Sequence, residues 1–398
     1  MVATALAQRL DASPASPLAS FYRARGFRPL WLDHHGPRGE AAQVVALIGG
    51  AGSDGFDPER FGYAALRRTI ASARSGDPGD LAALELALST ALAHYAQALR
   101  QPSRASAMLF VPPLSAPVPP SADAVLGAVS RAASLADGVA AVRDVNPIYD
   151  QIRVAYDHAL KRPRSQSPQM RAAILADLER ARVLPRDLGN RYLLVNTAAA
   201  TLSLVEQGRV RDTMLVVVGK PAMPTPTMAA LIRFAVLNPY WNLPPDLIAQ
   251  RAATIVREGP ALLARERLEL LSGWTPDARV IAPDTVDWQA VAAGGQRLRA
   301  RQLPGPENMM GAIKFMLPNR LGIYLHDTPH KSLFARVDRR LSSGCVRLQD
   351  APRVTRWLFG AGIPLASGVP EQRVDLPAPV PVYMIHLATM PLLTGAST

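Results

Sequence analysis

Tyr192-Leu193-Leu194-Val195-Asn196, Thr201-Leu202-Ser203-Leu204-Val205 and Thr213-Met214-Leu215-Val216-Val217-Val218 decide the fold. Each is a β-branched or leucine-rich run of strand length. Glu206-Gln207-Gly208-Arg209 joins the second to the third with the glycine of a hairpin turn. A proline-bound loop, Gly219 to Pro226, follows, and strand character returns at Ile313–Leu317, Gly322–His326 and Pro377–Leu387. The intervening stretch, Leu243 to Pro306, mixes helical and loop signals. It is too long for a simple connection and is read as an insertion or lid.

Upstream of Tyr192 the period is helical. Asp80 is the expected N-cap of a helix carrying Leu81, Leu84, Leu88, Leu92, Tyr95 and Leu99 on one face. Asn146, with Pro147 in the first turn, opens a second helix that turns Ile148, Ile152, Ala155, Tyr156 and Ala159 inward. A third carries Ile174, Leu175 and Leu178 and stops near Pro185, and Pro-rich connectors run over Val111–Ser121 and Arg162–Pro168. No internal repeat at solenoid period is seen. The fold class is α+β: a helical scaffold domain over 1–186, a mostly-β domain over 187–366 with its lid at about 243–306, and a C-terminal segment, 367–398, with a strand.

A chain of 398 residues is long for one domain, and a 48% hydrophobic, 19% charged composition excludes intrinsic disorder. The single cysteine, Cys345, excludes an internal disulfide and any Cys-rich metal site. Of the 44 basic residues only Lys161, Lys220, Lys314 and Lys331 are lysines, and the net charge is +12. Such a surface suits an anionic partner, although GC-rich codon usage accounts for the arginines equally well. With 6% aromatics and no base-stacking or groove-reading motif, no nucleic-acid partner is expected. Asp33-His34-His35 are adjacent rather than at ligand spacing, so no metal and no cofactor is expected either. No run of about 18 apolar residues is present to span a bilayer. Met1 to Pro17 lacks the charged-then-apolar profile of a secretory signal, which points to a cytoplasmic protein or a trimmed chain.

Chemistry needs a nucleophile, a base and a way to hold developing negative charge. Cys345 lies in Ser342-Ser343-Gly344-Cys345-Val346-Arg347, where small residues let backbone approach a substrate closely. His326 ends a strand on which alternation puts Tyr324 on the same face. A histidine in reach of a thiol lowers its pKa and serves as base and acid, and Arg347 has the geometry to bind a carboxylate bidentately. From the residues alone a packed structural cysteine and histidine stay open as the alternative.

The run Tyr324-Leu325-His326-Asp327-Thr328-Pro329, then Phe334-Ala335-Arg336, then Ser342-Ser343-Gly344-Cys345-Val346-Arg347-Leu348 resembles the active-site signature of the L,D-transpeptidases, the YkuD-type catalytic domain. Collinear matches lie upstream: Leu194-Val195-Asn196, Val218-Gly219-Lys220-Pro221 with Pro224-Thr225-Pro226, Asn238-Pro239-Tyr240-Trp241-Asn242, and Pro304-Gly305-Pro306-Glu307-Asn308 leading into Gly311–Met316. Phe21 to Phe27 with Pro29-Leu30-Trp31, and Leu178 to Pro185, are similar to the helical scaffold of the large YcbB-like branch. That branch usually inserts a peptidoglycan-binding module between scaffold helices. Only Lys161 to Pro168 separates the helices here, so the module is expected to be absent.

The resemblance implies a two-step acyl transfer at the cell envelope or periplasm, on peptidoglycan stem peptides as donor and acceptor. Cys345 would attack the third-residue carbonyl of a tetrapeptide stem, with release of the terminal D-alanine. Gly344 and Cys345 N–H groups and the Tyr324 hydroxyl would hold the oxyanion. His326 would shuttle the proton, oriented by a backbone carbonyl for which Asp327 is the candidate, with His330 an unsuited substitute. Ser342, Ser343, Arg347 and Trp241 would line the donor site, and Trp241 has a core reading too. Acylation of Cys345 by carbapenem-type β-lactams is implied, and lid closure would exclude water. The alternatives are an L,D-carboxypeptidase or endopeptidase working through the same acyl-enzyme, and a non-catalytic wall-binding scaffold.

Overall fold

The computed structural model describes residues 1–103, 106–160, 167–243, 245–275, 277–360 and 368–389. The expected connector over 162–168 and the domain end at 366 fall mostly or wholly outside them. The chain divides into two compact units. One comprises Met1–Met108, Ser115–Leu188 and His386–Thr398; the other comprises Leu109–Leu114 and Gly189–Ile385.

The first unit is helical and is organised on the long helix Pro78–Leu99, against which Val2–Asp11, Gly39–Gly49, Tyr63–Ser72 and Ala122–Arg131 pack. Leu84, Leu88, Leu92, Tyr95 and Leu99 are fully buried on it. Its cap is Asp77 rather than Asp80: the Asp77 carboxylate accepts the N–H groups of Gly79 and Asp80, and Pro78 fills the first position, where no N–H is needed. Helix Pro147–Leu160 opens as expected, the Asn146 side chain accepting the Tyr149 N–H. Two fully buried carboxylates are each met by several donors. Asp54 accepts from the Tyr95 hydroxyl at 2.5 Å, the Tyr149 hydroxyl at 2.7 Å and Arg143 at 2.8 Å. Glu85 accepts from the Tyr22 hydroxyl at 2.7 Å and the Trp31 N–H at 3.0 Å. Asp33-His34-His35 forms a hairpin tip in which Asp33 accepts the His35 N–H.

The second unit is a closed barrel. Its strands are β1 (Arg191–Asn196), β2 (Thr201–Glu206), β3 (Arg209–Gly219), β4 (Met228–Leu237), β5 (Ile313–Met316), β6 (Leu325–His326), β7 (Val346–Leu348) and β8 (Gln372–Ile385). Pairing runs β5-β6-β7-β3-β2-β1-β8-β4 and returns from β4 to β5, leaving no free edge among the eight. The hairpin between β2 and β3 turns at Gln207 and Gly208, both at positive φ, the conformation of a primed turn. The barrel interior is Leu193, Val195, Leu202, Leu204, Val216, Val218, Ile232, Phe315, Leu325, Val346, Leu348, Val382 and Met384. Helix Ala351–Phe359 adds Val354 and Leu358 to the same core.

Strand β8 starts well before the expected Pro377. It pairs antiparallel with β4 and parallel with β1, and its register with β4 breaks between Asp375 and Val380. Pro377 and Pro379 sit in that break, where the missing N–H groups cost no ladder bond. The insertion between β4 and β5 is a small fold of its own. Helix Pro245–Glu258 and a four-stranded sheet that includes Trp241–Asn242, Leu268–Leu271 and Arg299–Gln302 enclose a separate core of Ile248, Ala252, Ile255, Leu263, Leu270 and Ala300.

Candidate active site

Adjacent strands β6 and β7 run parallel, with Leu325 beside Val346 and His326 beside Arg347. One step back, the Val346 N–H donates to the Tyr324 carbonyl at 3.2 Å, which sets Tyr324 level with Cys345. Since Leu325, Val346 and Leu348 point into the barrel, alternation turns Tyr324, His326, Cys345 and Arg347 to the opposite face. Strand β5 contributes Lys314 at the level of His326. Four residues singled out by sequence therefore form a two-by-two block on one face, with a lysine beside it.

His326 is 2% exposed. Its Nδ1 lies 2.5 Å from the Asp327 carbonyl oxygen. A carbonyl only accepts, so Nδ1 carries the proton and Nε2 keeps its lone pair. Burial, with repulsion from Arg347 and Lys314, lowers the imidazole pKa to about 3, and the Asp327 carbonyl and carboxylate offset only part of this. The Asp327 carboxylate is itself held by Lys331 at 2.7 Å and by the Ala312 N–H at 3.0 Å.

Cys345 is a partly exposed free thiol. Its sulfur donates to the Gly322 carbonyl at 3.6 Å. The expectation of a histidine-lowered thiol is not met in this resting geometry: burial pushes the Cys345 thiol up, against a downward pull from hydrogen bonds of the Tyr324 N–H and hydroxyl and from the charge of Arg347. The Tyr324 hydroxyl is raised well above its usual range, first by burial and then by the sulfur it bonds. Resting thiol and imidazole are thus both neutral.

The turn before Cys345 is held by its own side chain. The Gly344 N–H donates to Ser342 Oγ at 3.1 Å, and Ser342 Oγ donates to the Cys345 carbonyl at 2.6 Å. Ser342 thus closes this loop on itself and takes up the Gly344 N–H. Ser343 is exposed. Trp241, partly buried, packs on the core of the insertion and pairs with Gln302. His330 Nε2 lies 3.3 Å from Met309 Sδ.

Residues 190–365 match the model of the L,D-transpeptidase catalytic domain, YkuD, and residues 16–155 match that of the Scaffold domain. The catalytic half of this chain is a YkuD-type L,D-transpeptidase domain. A putative L,D-transpeptidase of Haemophilus influenzae is 26% identical over 345 residues, spanning 86% of this chain and 67% of that protein. Among solved structures, an L,D-transpeptidase from Mycobacterium smegmatis overlaps at 15% identity and TM-score 0.24, covering 49% of this chain and 58% of that one. A cysteine-to-serine mutant of the Enterococcus faecium L,D-transpeptidase overlaps at 14% and 0.22, covering 50% and 51%. The chain thus spans little more than half of these solved L,D-transpeptidases, and overlays this loose add nothing to the family assignment. Among the described residues no helix is long and apolar enough to cross a membrane, and no cluster of metal-binding side chains occurs.

Sequence reasoning missed the side chains that brace this cluster from behind: Lys331 on Asp327, Asn319 on the Leu317–Ile323 loop, and Thr225 on Gly344. Only Thr225 had a signal, its place between two prolines.

Proposed function

We propose that this domain joins peptidoglycan stem peptides at the cell envelope through an acyl-enzyme on Cys345. The reading is carried by one arrangement: an imidazole whose Nδ1–H is spent on the Asp327 carbonyl shares a strand face with the thiol. Nε2 then takes the thiol proton as sulfur bonds to the third-residue carbonyl carbon of a donor tetrapeptide. The Cys345 N–H and the Tyr324 hydroxyl stabilise the oxyanion. As the C–N bond breaks, the Nε2 proton passes to the departing D-alanine amine. The acceptor amine attacks the thioester and gives a proton to Nε2, which passes it to Sγ as the C–S bond breaks and Cys345 leaves as the thiol. Arg347 holds a carboxylate of the donor, and a side-chain amine on the acceptor gives a 3–3 link, an amine at its first residue a 1–3 link.

Incubation with disaccharide-tetrapeptide, followed by tandem mass spectrometry, tests this. Dimers are expected from the parent and none from Cys345→Ala. Equal dimers from both would end the proposal, and monomers shortened by one D-alanine without dimers would show a carboxypeptidase instead.

A further inference from the structure

Pro224-Thr225-Pro226 has no part in the chemistry above, yet Thr225 is 8% exposed and its hydroxyl is fully used. It accepts the Gly219 N–H at 2.9 Å and donates to the Gly344 carbonyl at 2.7 Å. Pro224 fixes the backbone before it, and Pro226 confines Thr225 itself to extended conformations. Gly219 leaves no alternative placement: a Cβ built there would strike the Met223 carbonyl and the Thr225 N–H. The threonine hydroxyl is therefore a fixed point set against the backbone of the nucleophile turn.

In a trans peptide the carbonyl of one residue and the N–H of the next point in opposite directions. Anchoring the Gly344 carbonyl therefore aims the Cys345 N–H, and Gly344 has φ +115°, a conformation with few other constraints on the orientation of that peptide. The Ser342 hydroxyl already occupies the Gly344 N–H, so the Cys345 N–H is the main-chain group whose direction matters. We infer that Thr225 is a positioning residue for oxyanion stabilisation: it sets the Cys345 N–H toward the carbonyl under attack. This rests on the acyl-enzyme reading and names a residue that the reading does not use.

The test separates two reactions of one sulfur. Acylation by a carbapenem forms an Sγ–acyl bond, opens the lactam C–N bond, places the thiol proton on that nitrogen, and passes through an oxyanion. Alkylation by iodoacetamide displaces iodide and forms none. Both are followed by intact mass of the full chain. Thr225→Val, which keeps shape and loses the hydroxyl, should slow acylation by roughly 10- to 100-fold, less than the loss of an oxyanion donor outright. Alkylation should stay within about twofold, and Thr225→Ser should acylate nearly as the parent does. Equal acylation of Thr225→Val and parent, a matching fall in both reactions, or a serine variant as slow as valine would overturn the proposal alone. A parent that alkylates but takes no acyl group would overturn the acyl-enzyme reading, and this inference with it.

Discussion

Arg347 stands level with His326 on adjacent parallel strands, and after burial its charge is the strongest influence holding that imidazole neutral. Lys314 faces the ring with the same sign, and Asp327 alone opposes them. A histidine free at 6.5 and held near 3 when folded binds fewer protons folded than unfolded between those values. Its contribution is complete above the unfolded value and is lost as pH falls toward the folded one. Urea unfolding between about pH 4 and pH 6 should show parent stability falling faster with acid than that of His326→Gln, by up to about 1.4 kcal/mol per pH unit. Arg347→Gln should raise the His326 pKa and shorten that window. Identical slopes for parent and His326→Gln would contradict the assignment.

The Tyr324 hydroxyl pulls the Cys345 thiol down while burial pushes it up. Tyr324→Phe removes one downward pull, so the pH profile of iodoacetamide alkylation should move to higher pH. At neutral pH both proteins should alkylate more slowly than a free thiol, because less of the sulfur is thiolate. A profile that moves down, or an alkylation rate for the parent above that of glutathione at neutral pH, would be the contrary result.

Asp54 gathers two tyrosines and an arginine at 0% exposure in the helical unit. Asp54→Ala leaves those donors without their acceptor and should cost that unit about 3–5 kcal/mol. Thermal unfolding followed by far-ultraviolet dichroism reads this loss. A shift no larger than that of a surface substitution would show the cluster to be dispensable.

Legibility in the sequence followed the range of the interactions involved. The β2–β3 hairpin could be read because turn and strands lie within a few residues. His326 and Cys345 could be related because a strand and a short small-residue turn carry them. The helix start at Asp77 was misplaced because Asp80 offers the same carboxylate three residues later, and only the Pro78 ring distinguishes them. The true start of β8 was hidden by Pro377 and Pro379, which argue against a strand until a register break is known to receive them. The use of the Gly344 N–H by Ser342, and the upward push on the thiol, arise from burial and three-dimensional closure, for which no spacing rule exists.

The barrel closes through Val382 beside Leu193, the final strand lying between β1 and β4. During synthesis from the ribosome, β1 through β7 therefore emerge with two ladders still waiting for a partner. Pairing of such distant segments is slow relative to local contacts, and a nascent chain halted before Gln372 would present two open edges. The strands that seat His326 and Cys345 gain their finished frame only when translation has passed Ile385, so the order of manufacture makes this face wait for a strand made after every other strand of the barrel.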